Sequence, residues 1–259
     1  MKIGFIGFGK MGSSIAKSLK KSGKNEITCF DTNNDVLAEA KKTGFNIASS
    51  EKDVAEKSDV IFVCVKPQDI DSALMEIKTV SNGKIIVSIA AGKKMSAMKT
   101  VLGESKIVRV MPNINALAEA SMNVFTTQNL SAMEKKKILE LLNKCGVSLE
   151  LPEEKFDAIT AVSGSGPAFV AYFVEALAEA GEKNGLEAKE SYELALQTLL
   201  GTAKLLSENN WEPKKVVEMV SSPNCTTVAG RKILESSEFK KIIEDTVTAA
   251  RKRSAELGK

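Results

Sequence analysis

The sequence predicts an α/β chain, with a doubly wound sheet in its N-terminal part and an all-helical domain after it. Three observations carry this. Up to Leu151, short apolar runs alternate with stretches of helical spacing. Runs such as Val60-Ile61-Phe62-Val63-Cys64-Val65 are apolar on both faces, as central parallel strands covered by helices must be. Beyond Pro152 no strand pattern recurs and helical periodicity takes over.

Taken in order, Lys2–Ile6 reads as a strand, and Met11–Leu19 as a helix with Met11, Ile15, Ala16 and Leu19 on one face. Glu26–Phe30 is the second strand, Val36–Lys42 a helix, Phe45–Ala48 a short strand and Glu51–Lys57 a polar helix. Strands follow at Asp59–Val65, Lys84–Ile89 and Lys106–Val110. Asn123–Phe125, the helix Ser131–Lys144 and the strand Val147–Leu151 end this part. Helices are then expected over Ala168–Lys183, Ser191–Leu206, Pro213–Val220 and Phe239–Leu257. The stretch Ala168–Leu177 is apolar almost all round, so it needs cover from a core or from a partner subunit. A dimerisation unit and a compact monomeric bundle both satisfy that demand, and symmetric dimers favour the first.

Composition excludes several kinds of chemistry. The chain has no histidine, which removes His-based triads, His general bases and His metal ligands. Its four cysteines, Cys29, Cys64, Cys145 and Cys225, form no CxxC spacing, so no metal site is expected. Cys29 and Cys64 lie in apolar strand patterns and read as core residues. A net charge of +3 gives no bulk attraction to nucleic acid or to an anionic membrane. Continuous apolar runs such as Ile85–Ala91 are too short to cross a bilayer, and no leader pattern precedes the first strand. The chain is therefore expected to be cytoplasmic, with neither nucleic acid nor membrane as partner.

The strongest local motif is Gly7-Phe8-Gly9-Lys10-Met11-Gly12, a G-x-G-x-x-G between a strand and a helix. Gly7 permits the tight turn, Gly9 lets a pyrophosphate approach the backbone, and Gly12 lets the helix pack on the strand. The free N–H groups of the helix start then face the phosphates. Asp31, 19 residues beyond Gly12, ends the next strand. A carboxylate there accepts from the ribose hydroxyls and repels a 2′-phosphate, although it also reads as a simple turn cap. No Lys or Arg occurs in Thr32-Asn33-Asn34-Asp35, which favours NADH over NADPH. Val65-Lys66-Pro67, Ala90-Ala91-Gly92 and Met111-Pro112-Asn113 follow strands, where ligands lie in this architecture. Ser163-Gly164-Ser165-Gly166-Pro167 is expected to open a helix with free N–H groups, or merely to cap it. Ser222-Pro223-Asn224-Cys225-Thr226-Thr227 precedes another helix, with the same two readings.

Together these motifs resemble the pyrroline-5-carboxylate reductase family over essentially the whole chain. The resemblance rests on Ile3–Gly12, Val65–Gln68, Val87–Gly92, Arg109–Asn113, Ser163–Ala168 and Ser222–Thr227. It implies an N-terminal Rossmann-like doubly wound sheet over 1–152 and a C-terminal all-helical dimerisation domain that also binds substrate over 153–259. It also implies a homodimer, with a pentamer of dimers as the larger assembly the family often forms. The implied reaction is hydride transfer from NAD(P)H to the C=N carbon of 1-pyrroline-5-carboxylate, giving L-proline. Thr227 would meet the ring nitrogen, and Ser222 with the N–H groups of Cys225 and Thr226 would hold the carboxylate. Ser165 and Gly166 would shape the pocket floor, with the site completed across the dimer. The cofactor-binding residues implied are Gly7, Phe8, Gly9, Lys10, Met11, Gly12, Asp31, Glu51, Val65, Lys66, Pro67, Ala90, Ala91, Gly92, Met111 and Pro112.

The chain departs from the family pattern in three places. Asn224-Cys225 stands where two glycines are usual, Asn115 where a proline is usual, and Glu51 where many members carry a ribose-contacting Asn. Glu51 adds a second acid beside Asp31 and strengthens the expectation of NADH. Two other readings stay open. A β-hydroxyacid dehydrogenase would need a catalytic lysine on the joining helix, and Lys155 lies near that junction without a glycine-rich pattern around it. A non-enzymatic, competence-type relative would tolerate the drift at Asn224-Cys225 and Asn115.

Overall fold

The apolar runs become the strands of one sheet. The computed structural model describes residues 1–21, 23 and 25–258. Among these, β1 (Lys2–Ile6), β2 (Glu26–Phe30), β3 (Asn46–Ile47), β4 (Val60–Val63), β5 (Ile85–Ser88), β6 (Lys106–Met111), β7 (Ser121–Gln128) and β8 (Gly146–Glu150) lie in the order 3-2-1-4-5-6-7-8. β1 to β6 are parallel, and β7 runs antiparallel to β6 and parallel to β8. Every residue of β4 and β5 is buried, because helices cover both faces. One face packs Ile3, Phe5 and Phe62 under α1 (Lys10–Lys21), with the Phe5 and Phe62 rings stacked at 4.9 Å. The other face packs Ile61, Val63 and Ile86 under α3 (Glu51–Glu56), α4 (Ile70–Ile77) and α5 (Met95–Leu102).

α2 (Asn34–Lys42) and α6 (Ala132–Leu142) form where the periodicity predicts them. α4 and α5 join the expected helices, and Ile70, Ala73, Leu74 and Ile77 show why α4 forms, at helical spacing on its buried face. β7 is longer than the expected Asn123–Phe125, since its polar end Thr126-Thr127-Gln128 is held by pairing to β6 rather than by apolar burial.

α6 opens with a capping box: the Ser131 hydroxyl accepts from the Glu134 N–H, and the Glu134 carboxylate accepts from the Ser131 N–H. The Lys106 ammonium at 2.6 Å, followed by the Ser131 N–H and hydroxyl, holds the Glu134 carboxyl down to about 2, against an ordinary 4.5. A depressed folded-state value stabilises the protein above the ordinary value, and the effect is lost as pH falls through the folded one. Glu134→Gln should therefore flatten the acid side of the stability profile between those two values, which urea melts at several pH values will read.

The contacts divide the chain into two compact units, Met1–Ser165 with the C-terminal segment from Ala250, and Gly166–Ala249. Residues 153–165 belong to the sheet-bearing unit because Glu153 ties them to it. Its carboxylate takes the buried Arg109 guanidinium at 2.8 Å and the Met95 N–H at 2.7 Å, and Arg109 also lies over the Phe156 ring. The end of the chain returns to the same unit, where the Ser254 hydroxyl donates to Asp157 at 2.7 Å.

The second unit is helical: α8 (Gly166–Lys183), α9 (Ala188–Asn209), α10 (Pro213–Met219), α11 (Thr226–Ser236) and most of α12 (Phe239–Leu257). α8 and α9 cross closely, because a Cβ on Gly181 would overlap the Ser191 hydroxyl, which donates to the Ala178 carbonyl. Their shared core is small, built on Val174, Ala178 and Ala195. The all-round apolar stretch of α8 is otherwise open, with Tyr172 73% and Val170 47% exposed. α7 (Phe156–Ile159) and one wide turn lead into α8, and the helical run Glu153–Lys183 is long and apolar enough to cross a membrane by length and composition. The core helix of a soluble protein meets the same two criteria, so this run does not by itself point to a membrane.

Candidate functional site

The sheet order reverses between β1 and β4, and a parallel sheet binds ligands outside its carboxyl ends at such a point. A cleft of about 410 Å³ lies there. It gathers Gly7, Gly9, Asp31, Glu51, Val65 and Lys66 from the expected cofactor residues. Thr32, Asn33 and Asp69 also line it, although they were not among the expected residues; their places beside Asp31 and Pro67 were the available signal.

The three glycines of the turn do different work. Gly7 has φ +84°, and a Cβ there would come within 2.8 Å of the Cys64 carbonyl. A Cβ on Gly12 would overlap the Gly7 carbonyl oxygen. A Cβ on Gly9 would meet nothing within 4 Å, so open space lies over it at the start of α1. Space above the backbone, a helix N-terminus and flanking acids together fit a dinucleotide.

Phe8 is held on both its ring and its N–H. Its ring is buried against Phe5 and Phe45, and its N–H donates to Asp31 at 2.6 Å. The Gly7 N–H donates to the Phe30 carbonyl at 2.9 Å. The turn is thus laced to the end of β2, and at the start of α1 the N–H groups of Lys10, Met11 and Gly12 have no intrahelical acceptor, whereas the Ser13 N–H donates to the Gly9 carbonyl at 2.9 Å. Asp31 also accepts from the Asn33 N–H at 2.9 Å, so it caps its turn while its carboxylate lines the cleft. A carboxylate has lone pairs left for further donors. Three acids, Asp31, Glu51 and Asp69, face one base, Lys66, around the cleft.

The other predicted cofactor residues lie outside this lining. Lys10 opens α1, Met11 is half-buried in its first turn, and Pro67 starts a short turn of helix after β4. Ala90 is buried and Ala91 half-buried after β5. Gly92 admits a close approach, as expected, but the approaching group is the chain's own C-terminal end. A Cβ there would stand 2.9 Å from the Leu257 carbonyl. Met111 and Pro112 are buried at the end of β6, and Met111 packs toward Gly164.

Ser163-Gly164-Ser165 does not open a helix with free N–H groups. It lies within a continuous helical run, and the Ser165 N–H donates to the Thr160 carbonyl at 2.8 Å. Gly166 is half-buried at the first position of α8.

Ser222, Thr226 and Thr227 are exposed at the start of α11. The Cys225 N–H is not free for a carboxylate, because it donates to the Ser222 carbonyl at 3.2 Å in a tight turn with Asn224 at φ +61°. Cys225 instead caps α11 through sulfur, accepting from the Val228 N–H at 3.4 Å. That N–H, with smaller help from Ser222 and Thr227, holds the thiol below its ordinary range. Burial pushes Cys29 the other way, up to about 11. Among the described residues no three His, Cys, Asp or Glu side chains gather as metal ligands.

A family model described as pyrroline-5-carboxylate reductase dimerisation matches residues 153–257, and one described as NADP oxidoreductase, coenzyme F420-dependent, matches residues 2–92. The chain is 39% identical to a pyrroline-5-carboxylate reductase of Aquifex aeolicus, covering 99% of this chain and 97% of that one. It is 36% identical to the enzyme of that name from Methanosarcina acetivorans, covering 100% and 98%. A pyrroline-5-carboxylate reductase structure from Coxiella burnetii superposes with a TM-score of 0.93 at 30% identity, covering 99% and 98%. One from Plasmodium falciparum with NADP bound superposes at 0.89 and 31%, covering 100% and 98%.

Proposed function

The chain belongs to the pyrroline-5-carboxylate reductase family, and from that premise we infer that it reduces 1-pyrroline-5-carboxylate to L-proline, the last step of proline biosynthesis. End-to-end similarity to reductases of that name carries the reading. It displaces both a β-hydroxyacid dehydrogenase and a non-enzymatic relative. When bound, the reduced nicotinamide dinucleotide supplies a hydride to the C=N carbon.

The chain's own residues bind, orient and supply polar contacts. Residues 1–152 hold the dinucleotide: Gly9 leaves room for the pyrophosphate, the first turn of α1 donates to it, and Asp31 and Glu51 face the adenosine ribose. Val65, Lys66 and Pro67 follow β4 along the cleft, and Ala90, Ala91, Met111 and Pro112 are assigned to the nicotinamide end. Residues 153–259 hold the substrate. The N–H groups of Thr226 and Thr227, which have no intrahelical acceptors, take its carboxylate with the Ser222 hydroxyl beside them. The Cys225 thiol is their neighbour. Thr227 presents its hydroxyl to the ring nitrogen, and Ser165 and Gly166 are assigned to the same substrate. A threonine hydroxyl is too weak an acid to ionise here, so it relays a solvent proton to the imine nitrogen and then accepts a hydrogen bond from the iminium N–H so formed, which orients the ring. The missing histidine is no obstacle, since an iminium already attracts hydride and positioning supplies most of the effect.

We assign NADH as the preferred donor on the three acids and single lysine around the cleft, because a 2′-phosphate would meet net negative charge. The open apolar face of α8 is assigned to a second copy in a homodimer, within the segment matched by the dimerisation model. A pentamer of such dimers is the larger assembly suggested by resemblance, and a soluble cytoplasmic enzyme is the form this implies. The test follows absorbance loss of NADH, then of NADPH, with 1-pyrroline-5-carboxylate, and analyses for proline. Turnover with a higher kcat/KM for NADH is expected. A clear NADPH preference overturns the cofactor assignment, and no turnover with either overturns the reaction.

A further inference from the structure

Between α7 and α8 the helix makes one wide turn, Thr160–Gly164, closed by the Ser165 N–H on the Thr160 carbonyl. Its cause is readable in the sequence. The N–H of residue 167 would normally bond the Ser163 carbonyl, but residue 167 is proline, which has no N–H and crowds the carbonyl four residues back. Wide turns of this kind are rare and recur at functional places.

One side chain donates to that carbonyl. The Asn113 amide at the end of β6 donates to the Ser163 carbonyl at 3.2 Å and lies 3.4 Å from the Ser163 hydroxyl. Asn113 is 8% exposed and held on its other sides. Its own N–H donates to the Ser121 hydroxyl at 3.0 Å, and its side-chain oxygen accepts from the Asn115 N–H at 3.2 Å. That last bond fixes which end of the amide faces Ser163, because only the NH2 end can donate.

We propose that Asn113 is a positioning residue for the reduction: by bonding the Ser163 carbonyl, whose regular helical donor Pro167 removes, it fixes the wide turn and so the placement of Ser165 for the substrate. This rests on the assignment of Ser165 to the substrate made above. The strand that leads to the nicotinamide end therefore carries, at its tip, the group that sets a substrate residue two positions beyond its bond. A half-buried carbonyl that loses its donor moves toward another one, and here the turn moves with it.

The experiment uses the full chain and steady-state kinetics. Asn113→Ala should raise KM for 1-pyrroline-5-carboxylate about tenfold, the size of one buried hydrogen bond, while KM for the dinucleotide changes by less than about twofold. A residue that only held the fold would shift both with the melting temperature. Asn113→Asp keeps the shape and the bond from Asn115 but has no donor while ionised. Its activity relative to the parent should recover as pH falls and the carboxyl gains a proton to donate. In a Pro167→Ala background the returned N–H serves Ser163, and the added Asn113→Ala should then cost less than about twofold. Parent-like kinetics of a folded Asn113→Ala, or equal rises in both KM values, overturn the proposal. If Asn113→Ala does not fold, a pH-independent ratio for Asn113→Asp overturns it instead. A parent that does not turn over the pyrroline refutes the function and this proposal together, whereas an active parent with an indifferent Asn113 refutes only the latter.

Discussion

Gly9→Val is expected to leave the protein folded and to weaken dinucleotide binding by about a hundredfold or more, roughly 3 kcal/mol. The space over Gly9 is empty, and a Cβ there meets no protein atom within 4 Å. The added Cβ displaces no neighbour, so the expected folding cost is that of a poorer cap on α1, about 1 kcal/mol. What the side chain fills is the volume through which a pyrophosphate reaches the backbone. Gly12→Val makes the opposite case within the same motif. Its Cβ would overlap the Gly7 carbonyl and stand 3.1 Å from the Cys64 Cβ, so the helix must move off the strand. Overpacking of that kind costs about 1–3 kcal/mol and is felt in stability as well as in binding. Thermal melts beside fluorescence titration with NADH separate the two variants. If Gly9→Val binds NADH like the parent, this turn is not where the phosphates lie.

The contrast also shows which parts of the molecule were readable in advance. Gly7, Gly9 and Gly12 are assigned from spacing alone, because each depends on neighbours a few residues away. The strands through Phe62 and Val87 were readable because burial on both faces leaves a continuous apolar signature. What stayed hidden depends on partners remote in sequence. Nothing around Gly92 announces that the chain end at Leu257 and Gly258 crosses it. Nothing near Arg109 announces Glu153, although a buried arginine in a strand requires some acid. The engagement of the Cys225 N–H by Ser222 follows from a left-handed Asn224, a conformation that asparagine tolerates but does not dictate. The wide turn before α8 is an intermediate case. Pro167 signals a break in the hydrogen-bond ladder, but a fresh helix start and a wide turn both answer it. Asn113, from another element, is the donor that serves the turn.

Thr227→Ala is expected to lower kcat by about a hundredfold with little change in stability. The hydroxyl assigned to the ring nitrogen is the one donor assigned to the reacting C=N group itself, and deleting such a donor typically costs about 10²–10³ in rate. Stability is spared because Thr227 is exposed in the first turn of α11 and the cap of that helix is Cys225, through Val228. KM for the substrate should move less than kcat, since the N–H groups assigned to the carboxylate remain, and a group acting in the transition state shows itself in kcat. Thr227→Ser keeps the hydroxyl and should stay within about tenfold of the parent, whereas Thr227→Val keeps the shape and should fall with alanine. A merely structural threonine would give the reverse order, with valine close to the parent. Dinucleotide affinity, read by the titration used for Gly9→Val, should be unchanged in all three, because the cofactor cleft draws on none of these residues. Full activity in Thr227→Ala would remove this hydroxyl from the reaction, and the proton would then have to reach the ring nitrogen directly from water.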